Sequence, residues 1–97
     1  MIRSHLCVKE ILACFYQHRK PYYQSSISMH PYFELTYVDA GKLYMIVDDR
    51  EYVLHSSQCM VYYPDQKHKQ YTKTSSGCSY LTIFFEMDID ISDTLKN

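Results

Sequence analysis

His30-Pro31-Tyr32-Phe33-Glu34-Leu35-Thr36-Tyr37-Val38-Asp39-Ala40-Gly41 is the stretch whose pattern decides the fold. β-branched and aromatic residues dominate it from Tyr32 to Asp39, as in a half-buried strand. A strand alternates its faces, so Glu34, Thr36 and Val38 share one side while Phe33, Leu35 and Tyr37 share the other. One side must line an interior and the other must pack. Ala40-Gly41 reads as a tight hairpin turn, because glycine tolerates the left-handed backbone that such turns need.

The same texture continues toward the C-terminus. Lys42 to Asp48, Glu51 to His55, Cys59 to Tyr63, His68 to Thr72 and Cys78 to Met87 are further candidate strands. Asp48-Asp49-Arg50, His55 to Gln58 and Pro64 to Lys67 read as turns, and Thr74 to Gly77 as a polar loop. No long helical stripe competes, and no internal repeat of about 20 to 50 residues is present. Toward the N-terminus, His5 to Arg19 can be written as an amphipathic helix or as a strand centred on Leu12 to Gln17. The run Ala13-Cys14-Phe15-Tyr16 favours the strand. Lys20-Pro21 closes it, Ser25 to Met29 forms an irregular approach, and an acidic then polar tail begins at Asp88. Short antiparallel strands with both faces partly apolar are best satisfied by a closed barrel or jelly roll, which removes exposed edges.

Composition sets the outer limits. Ninety-seven residues fit one domain. A core this small usually needs closure, a second subunit or a neighbouring domain, so a homodimer is expected. The aromatic share is 15%, from eleven Tyr and four Phe without Trp. A net charge of −1 leaves no electrostatic footprint for a phosphate backbone, so this stretch by itself should not grip DNA. Cys7, Cys14, Cys59 and Cys78 have neither CxxC pairing nor zinc-ribbon spacing and read as reduced core thiols. The apolar run from Ile11 to Tyr16 is too short for a membrane span, and no secretory pattern precedes it, which points to the cytoplasm.

Chemistry concentrates in a few positions. His30 and Glu34 lie four residues apart at the mouth of the strand expected over Tyr32 to Asp39, and His68 opens a later strand after a proline-containing turn. Two imidazoles and a carboxylate match the facial set that holds iron, manganese or zinc with positions open for substrate. The plainer alternative is that each is a surface or hydrogen-bonded residue, since five histidines in the chain make chance pairs easy. His5, His18 and His55 show no partner pattern and read as surface residues. Tyr37, Tyr44, Tyr62, Tyr63 and Tyr80 fall within candidate strands, where their rings can stack on a ligand or simply pack at the barrel rim. Nucleophile elbow, phosphate loop and dinucleotide fingerprint are all missing.

Taken in order, these residues resemble the cupin fold, and in particular the N-terminal sensor domain of AraC-type transcription regulators. His30 to Gly41 resembles the first cupin motif, with Ser28 where metal-binding cupins have another His. Ser57-Gln58-Cys59-Met60-Val61-Tyr62-Tyr63-Pro64-Asp65-Gln66-Lys67-His68 echoes the second, with Ser57 and Asp65 in places usually held by Gly. The resemblance covers roughly three fifths of the chain. It implies an all-β, mostly antiparallel cupin-type double-stranded β-helix: a single sensor domain over residues 1–97, with an arm or first strand at 1–29, a barrel at 30–87 and a tail at 88–97.

It further implies a small-molecule effector, sugar or otherwise, held by His30, Glu34, Tyr37, Tyr44, Tyr63 and His68. Neither cofactor, metal nor catalysis is expected. DNA would be read by a helix-turn-helix pair that these residues do not include, in a parent of which this chain is a truncated form. The segment before His30 would be a mobile arm. Two alternatives stay open: a metal-dependent isomerase or dioxygenase using His30, Glu34 and His68, and a pure dimerisation barrel with a filled interior.

Overall fold

A computed structural model describes residues 5–73 and 75–90. Its strands are β1 (His5–Arg19), β2 (Phe33–Val47), β3 (Arg50–His55), β4 (Cys59–Tyr62), β5 (His68–Tyr71) and β6 (Cys78–Asp90). Every pairing between them is antiparallel, and no helix occurs among the described residues. This is the all-β architecture that the alternation in the sequence requires.

β2 organises the molecule. Its first half pairs with β6 and β4, while its second half pairs with β3 and β5. The strand thus belongs to two sheets that face each other, and the bend lies at a bulge between Val38 and Ala40, followed by Gly41 at φ 81°. The expected hairpin at Ala40-Gly41 is corrected here, because the two candidate strands flanking it are one strand. Glycine is required for a second reason as well. A Cβ on Gly41 would sit 2.3 Å from the carbonyl oxygen of Gly77, so the backbones of β2 and the loop before β6 touch directly.

The bulge also switches which residues point inward. Glu34, Thr36 and Val38 are buried before it, and Leu43, Met45 and Val47 after it. The core therefore gathers Val38, Leu43, Met45, Val47, Leu54, Tyr62, Cys78 and Tyr80. Removing each such side chain from water contributes about 1.5 to 3 kcal/mol.

The turns follow their chemistry. Asp48 and Asp49, at φ 48° and 69°, form the two-residue link between β2 and β3 with the left-handed backbone of a type I′ hairpin. Ser57 and Asp65 adopt φ 71° and 65°, so both positions usually filled by glycine keep a glycine-like backbone.

β1 is strand along its whole length and lies on the outer edge of β6. Beyond Phe85, β6 has only β1 beside it, so the two strands run on as a ribbon past the end of β2. Tyr23 to Ser28 follows the free edge of β5, with Ser25 and Ser28 donating backbone N–H groups to the carbonyls of Gln70 and His68 at 2.8 Å. The expectation of four core thiols is also corrected. Cys78 is buried, but Cys7, Cys14 and Cys59 are exposed, because Cys14 and Cys59 occupy the outer face of their sheet. His18 and His55 are exposed as expected, whereas the tail expected at 88–97 is corrected at its start, because β6 runs on to Asp90 against β1; the side chain of His5 and residues 91–97 lie outside the described residues.

Candidate functional site

His30 ends the approach to β2, Glu34 is the second residue of β2, and His68 opens β5. The fold brings all three together, with ligating atoms within 4.8 Å of one another. His30 Nε2 lies 3.1 Å and His68 Nε2 3.3 Å from the same oxygen, Glu34 Oε1. Glu34 and His68 are buried and His30 nearly so.

The opposite ring nitrogens settle the proton inventory. His30 Nδ1 meets the carbonyl of Tyr32, and His68 Nδ1 the carbonyl of Gln66, each at 3.0 Å. A carbonyl can only accept, so both Nδ1 atoms carry hydrogen and neutral rings would turn bare Nε2 lone pairs toward the carboxylate. Three acceptors facing one another need protons, or a cation, between them. For His68, burial lowers the pKa, but the hydrogen bonds to Glu34 and to the Gln66 carbonyl, together with the carboxylate charge, outweigh it. The net effect is a raised pKa.

A buried polar chain continues from the carboxylate. Thr36 Oγ1 donates to Glu34 Oε2 at 3.2 Å, and Gln70 Nε2 donates to Thr36 Oγ1 at 3.4 Å and to the Tyr62 hydroxyl at 3.0 Å. Tyr62 lies flat on His68, with ring centroids 4.3 Å apart, and its burial holds the phenol strongly protonated. On the other side, Tyr32 stacks on His30 at 4.1 Å and Phe84 meets its edge. No buried side-chain nitrogen or oxygen among the described residues lacks a partner. A polar network of this kind is satisfied and therefore rigid.

Above it opens a cavity of about 270 Å³. Glu34, His68 and Gln70 form part of its wall; Phe15, Gln17 and Arg19 of β1 contribute another side, Thr82 and Phe84 of β6 a third, and Tyr23, Ser25 and Ser28 the strap along β5. The interior is thus hollow, with polar and apolar wall in similar measure.

The structure does not bring Tyr37, Tyr44 and Tyr63 to this cavity. Tyr37 has the opposite parity to Glu34 in the same strand and faces out. Tyr44 is turned outward by the bulge and stacks on Tyr71 beside Lys73 and Glu51. Tyr63 is exposed next to Phe33, one residue past Tyr62, which points in. Tyr80 is buried in the core and accepts a hydrogen bond from Arg19. Arg19, Gln17, Tyr23, Gln70 and Thr82 are wall residues that sequence reasoning missed. The signal for two of them, Gln17 and Arg19, was the period-2 series Phe15, Gln17, Arg19, legible only once β1 is known to be a strand.

His30, Glu34 and His68 form a donor set that suits a divalent transition metal: two imidazoles with Nδ1 anchored on carbonyls, one carboxylate, and Ser28 on the cavity wall in place of a fourth strong ligand.

Comparison with known proteins adds the following. The family model described as "AraC-like ligand binding domain" matches residues 12–93. No curated protein matches the chain. Among solved structures, a predicted oxalate decarboxylase from Thermotoga maritima superposes with a TM-score of 0.75 at 9% identity, over 86% of this chain and 80% of that one. The Cupin 2 domain of an XRE family transcriptional regulator from Enterobacter cloacae gives 0.67 at 17% identity, over 84% and 94%. An RmlC-like cupin from Shewanella frigidimarina gives 0.67 at 17% identity, over 74% of this chain; the chain spans 63% of that protein's length. At these identities the likeness shows the cupin fold. No helix among the described residues is long and apolar enough to cross a membrane.

Proposed function

This chain belongs to the family of AraC-like ligand-binding domains, and on that footing we propose that it is the effector-binding part of a bacterial transcription regulator. The observation that carries this is the cavity of about 270 Å³ above a closed, fully satisfied polar floor. A barrel used only for dimerisation would fill such a space with its own side chains. Glu34 and His68 give the pocket its base with His30 behind Glu34, outside the lining, Tyr37, Tyr44 and Tyr63 stand outside it as well, and the protein works in the cytoplasm. DNA is contacted by a helix-turn-helix part outside these residues, consistent with the net charge of −1. Occupancy acts by favouring one of two states, and the Tyr23 to Ser28 strap is the segment whose position the ligand biases.

The test is a thermal-shift screen against a broad panel of small metabolites. A true effector at 100 times its Kd raises stability by about 2.7 kcal/mol. A panel without any stabilising compound would end this reading.

The outer face of the β1-β6-β2-β4 sheet supports the homodimer. Ile11, Tyr16, Tyr37 and Tyr63 are exposed across it with Leu35, Val61 and Ile83 half-buried between them, and Asp39, bonded to the Tyr16 hydroxyl, is a charged residue at its margin. Apolar surface of that extent marks an interface, and a second copy also relieves the free edge of β1.

A metal-dependent cupin enzyme is the alternative, favoured by the convergence of two anchored imidazoles on Glu34. A bound metal would supply Lewis acidity there, with His30, Glu34 and His68 holding it. Stoichiometric iron, manganese or zinc in purified protein, lost in His68→Ala, would replace the sensor with the enzyme.

A further inference from the structure

Among the described residues, one permanent cation lines the cavity. Arg19, the last residue of β1, is held on two sides: its Nε donates to the Tyr80 hydroxyl at 3.1 Å, and its guanidinium carbon lies 4.4 Å from the centre of the Tyr23 ring. A guanidinium has five N–H donors in a planar fork, and one is used here. Among the described residues, none accepts from the Nη groups, which therefore remain available to whatever enters.

The other charged group in the wall cannot compete for a ligand. Both oxygens of Glu34 are already engaged, Oε1 by the two histidines and Oε2 by Thr36, and the side chain is buried. A cavity whose carboxylate is buried and turned to His30, His68 and Thr36, while its guanidinium keeps N–H donors free, will select a ligand carrying negative charge. The fork matches a planar carboxylate in bidentate geometry, whereas a phosphate dianion would call for a second free cation, and the other basic group in the wall, His68, has both ring nitrogens turned to Glu34 and the Gln66 carbonyl.

The rest of the wall describes the rest of the ligand. Thr82 donates to Gln17 Oε1 at 3.2 Å, which leaves the Gln17 amide nitrogen free to donate toward the cavity. Ser28 adds a hydroxyl, while that of Ser25 is spent on the Ser26 carbonyl and the Gln70 N–H, and Phe15 meets Phe84 edge to face to form an apolar surface. The volume lies just under the usual range of roughly 300 to 1,000 Å³ for ligand pockets, which suits a molecule of monosaccharide size.

Resting on the effector-binding function proposed above, we infer that the cavity takes a small hydroxylated carboxylate of sugar-acid type, with its carboxylate on the Arg19 fork and a ring or chain face against Phe15 and Phe84. Arg19 is then the residue that discriminates an acid from its neutral counterpart.

Isothermal titration of the 97-residue chain tests this with matched pairs: D-glucuronate against D-glucose, D-galacturonate against D-galactose, D-gluconate against sorbitol, and glucose 6-phosphate as the phosphate arm. At least one acid binds, its neutral partner binds about tenfold or more weakly, and Arg19→Gln abolishes the difference. Arg19→Lys, which keeps the charge and loses the fork, falls between the two; it decides the matter alone if Arg19→Gln does not fold. A neutral sugar or the phosphate ester binding as tightly as the acid would overturn the inference and leave the sensor intact. So would acid preference that survives Arg19→Gln or Arg19→Lys unchanged, or failure of every acid to bind. The metabolite screen separates these outcomes from failure of the sensor, which would leave that screen empty too.

Discussion

Each Nδ1 of His30 and His68 is anchored on a carbonyl, so the charge state of the floor is read at Nε2. The folded protein holds a proton on His68 more firmly than the unfolded chain does, since its pKa is raised above 6.5. Stability from this group is therefore fully present below pH 6.5 and is lost as pH rises through the folded value. Thermal melts of metal-free protein between about pH 5 and 9 should show that decline, and His68→Gln should flatten it. Flat melts for the parent would show that His68 is not the proton carrier. At Ser57, an ordinary side chain bears a left-handed backbone whose cost is roughly 1 to 2 kcal/mol. Ser57→Gly should raise stability by up to about 1 kcal/mol in urea titration, the gain being trimmed by the added freedom of glycine in the unfolded chain. A loss on that substitution would mean that the Ser57 side chain makes a compensating contact.

Among the elements, β2 matters most, because one bent strand serves two sheets. Its bend depends on backbone meeting backbone at Gly41 and Gly77, with no room for a methyl group. Gly41→Ala must both strain a positive φ and push the Gly77 carbonyl away, so it should destabilise the domain by about 2 kcal/mol or more. Chemical denaturation measures this, and a loss under about 0.5 kcal/mol would place the bend elsewhere. Because the bulge reverses parity, residues on either side of it point to the interior on alternate counts. Tyr44 shares even numbering with Glu34 and yet faces solvent for this reason.

At the level of the whole molecule, the outer sheet face and the edge of β1 are among the surfaces left uncovered by the described residues. Ile11 and Tyr63, each more than 60% exposed, are well placed to report on a partner without disturbing the core. Sedimentation equilibrium should give a dimer at tens of micromolar, and Ile11→Lys with Tyr63→Lys should weaken it at least tenfold. The stability of the monomer should change by less than about 0.5 kcal/mol per site. A parent protein that is monomeric at that concentration would remove the second copy as occupant of this face.

The all-β class, most strand positions, the turns at Asp48-Asp49 and Pro64-Asp65, and the convergence of His30, Glu34 and His68 were legible in the chain itself. Alternation, turn chemistry and ordered spacing are local properties, and the motif pattern carried the rest. Which tyrosine looks inward, whether Ala40-Gly41 turns or bends, and how Arg19 reaches the same hollow as His68 were decided by tertiary structure alone. The physical reason is that one extra residue in a bulge inverts every facing after it, and that cavity walls are assembled from strands far apart in sequence, whose register no single segment encodes.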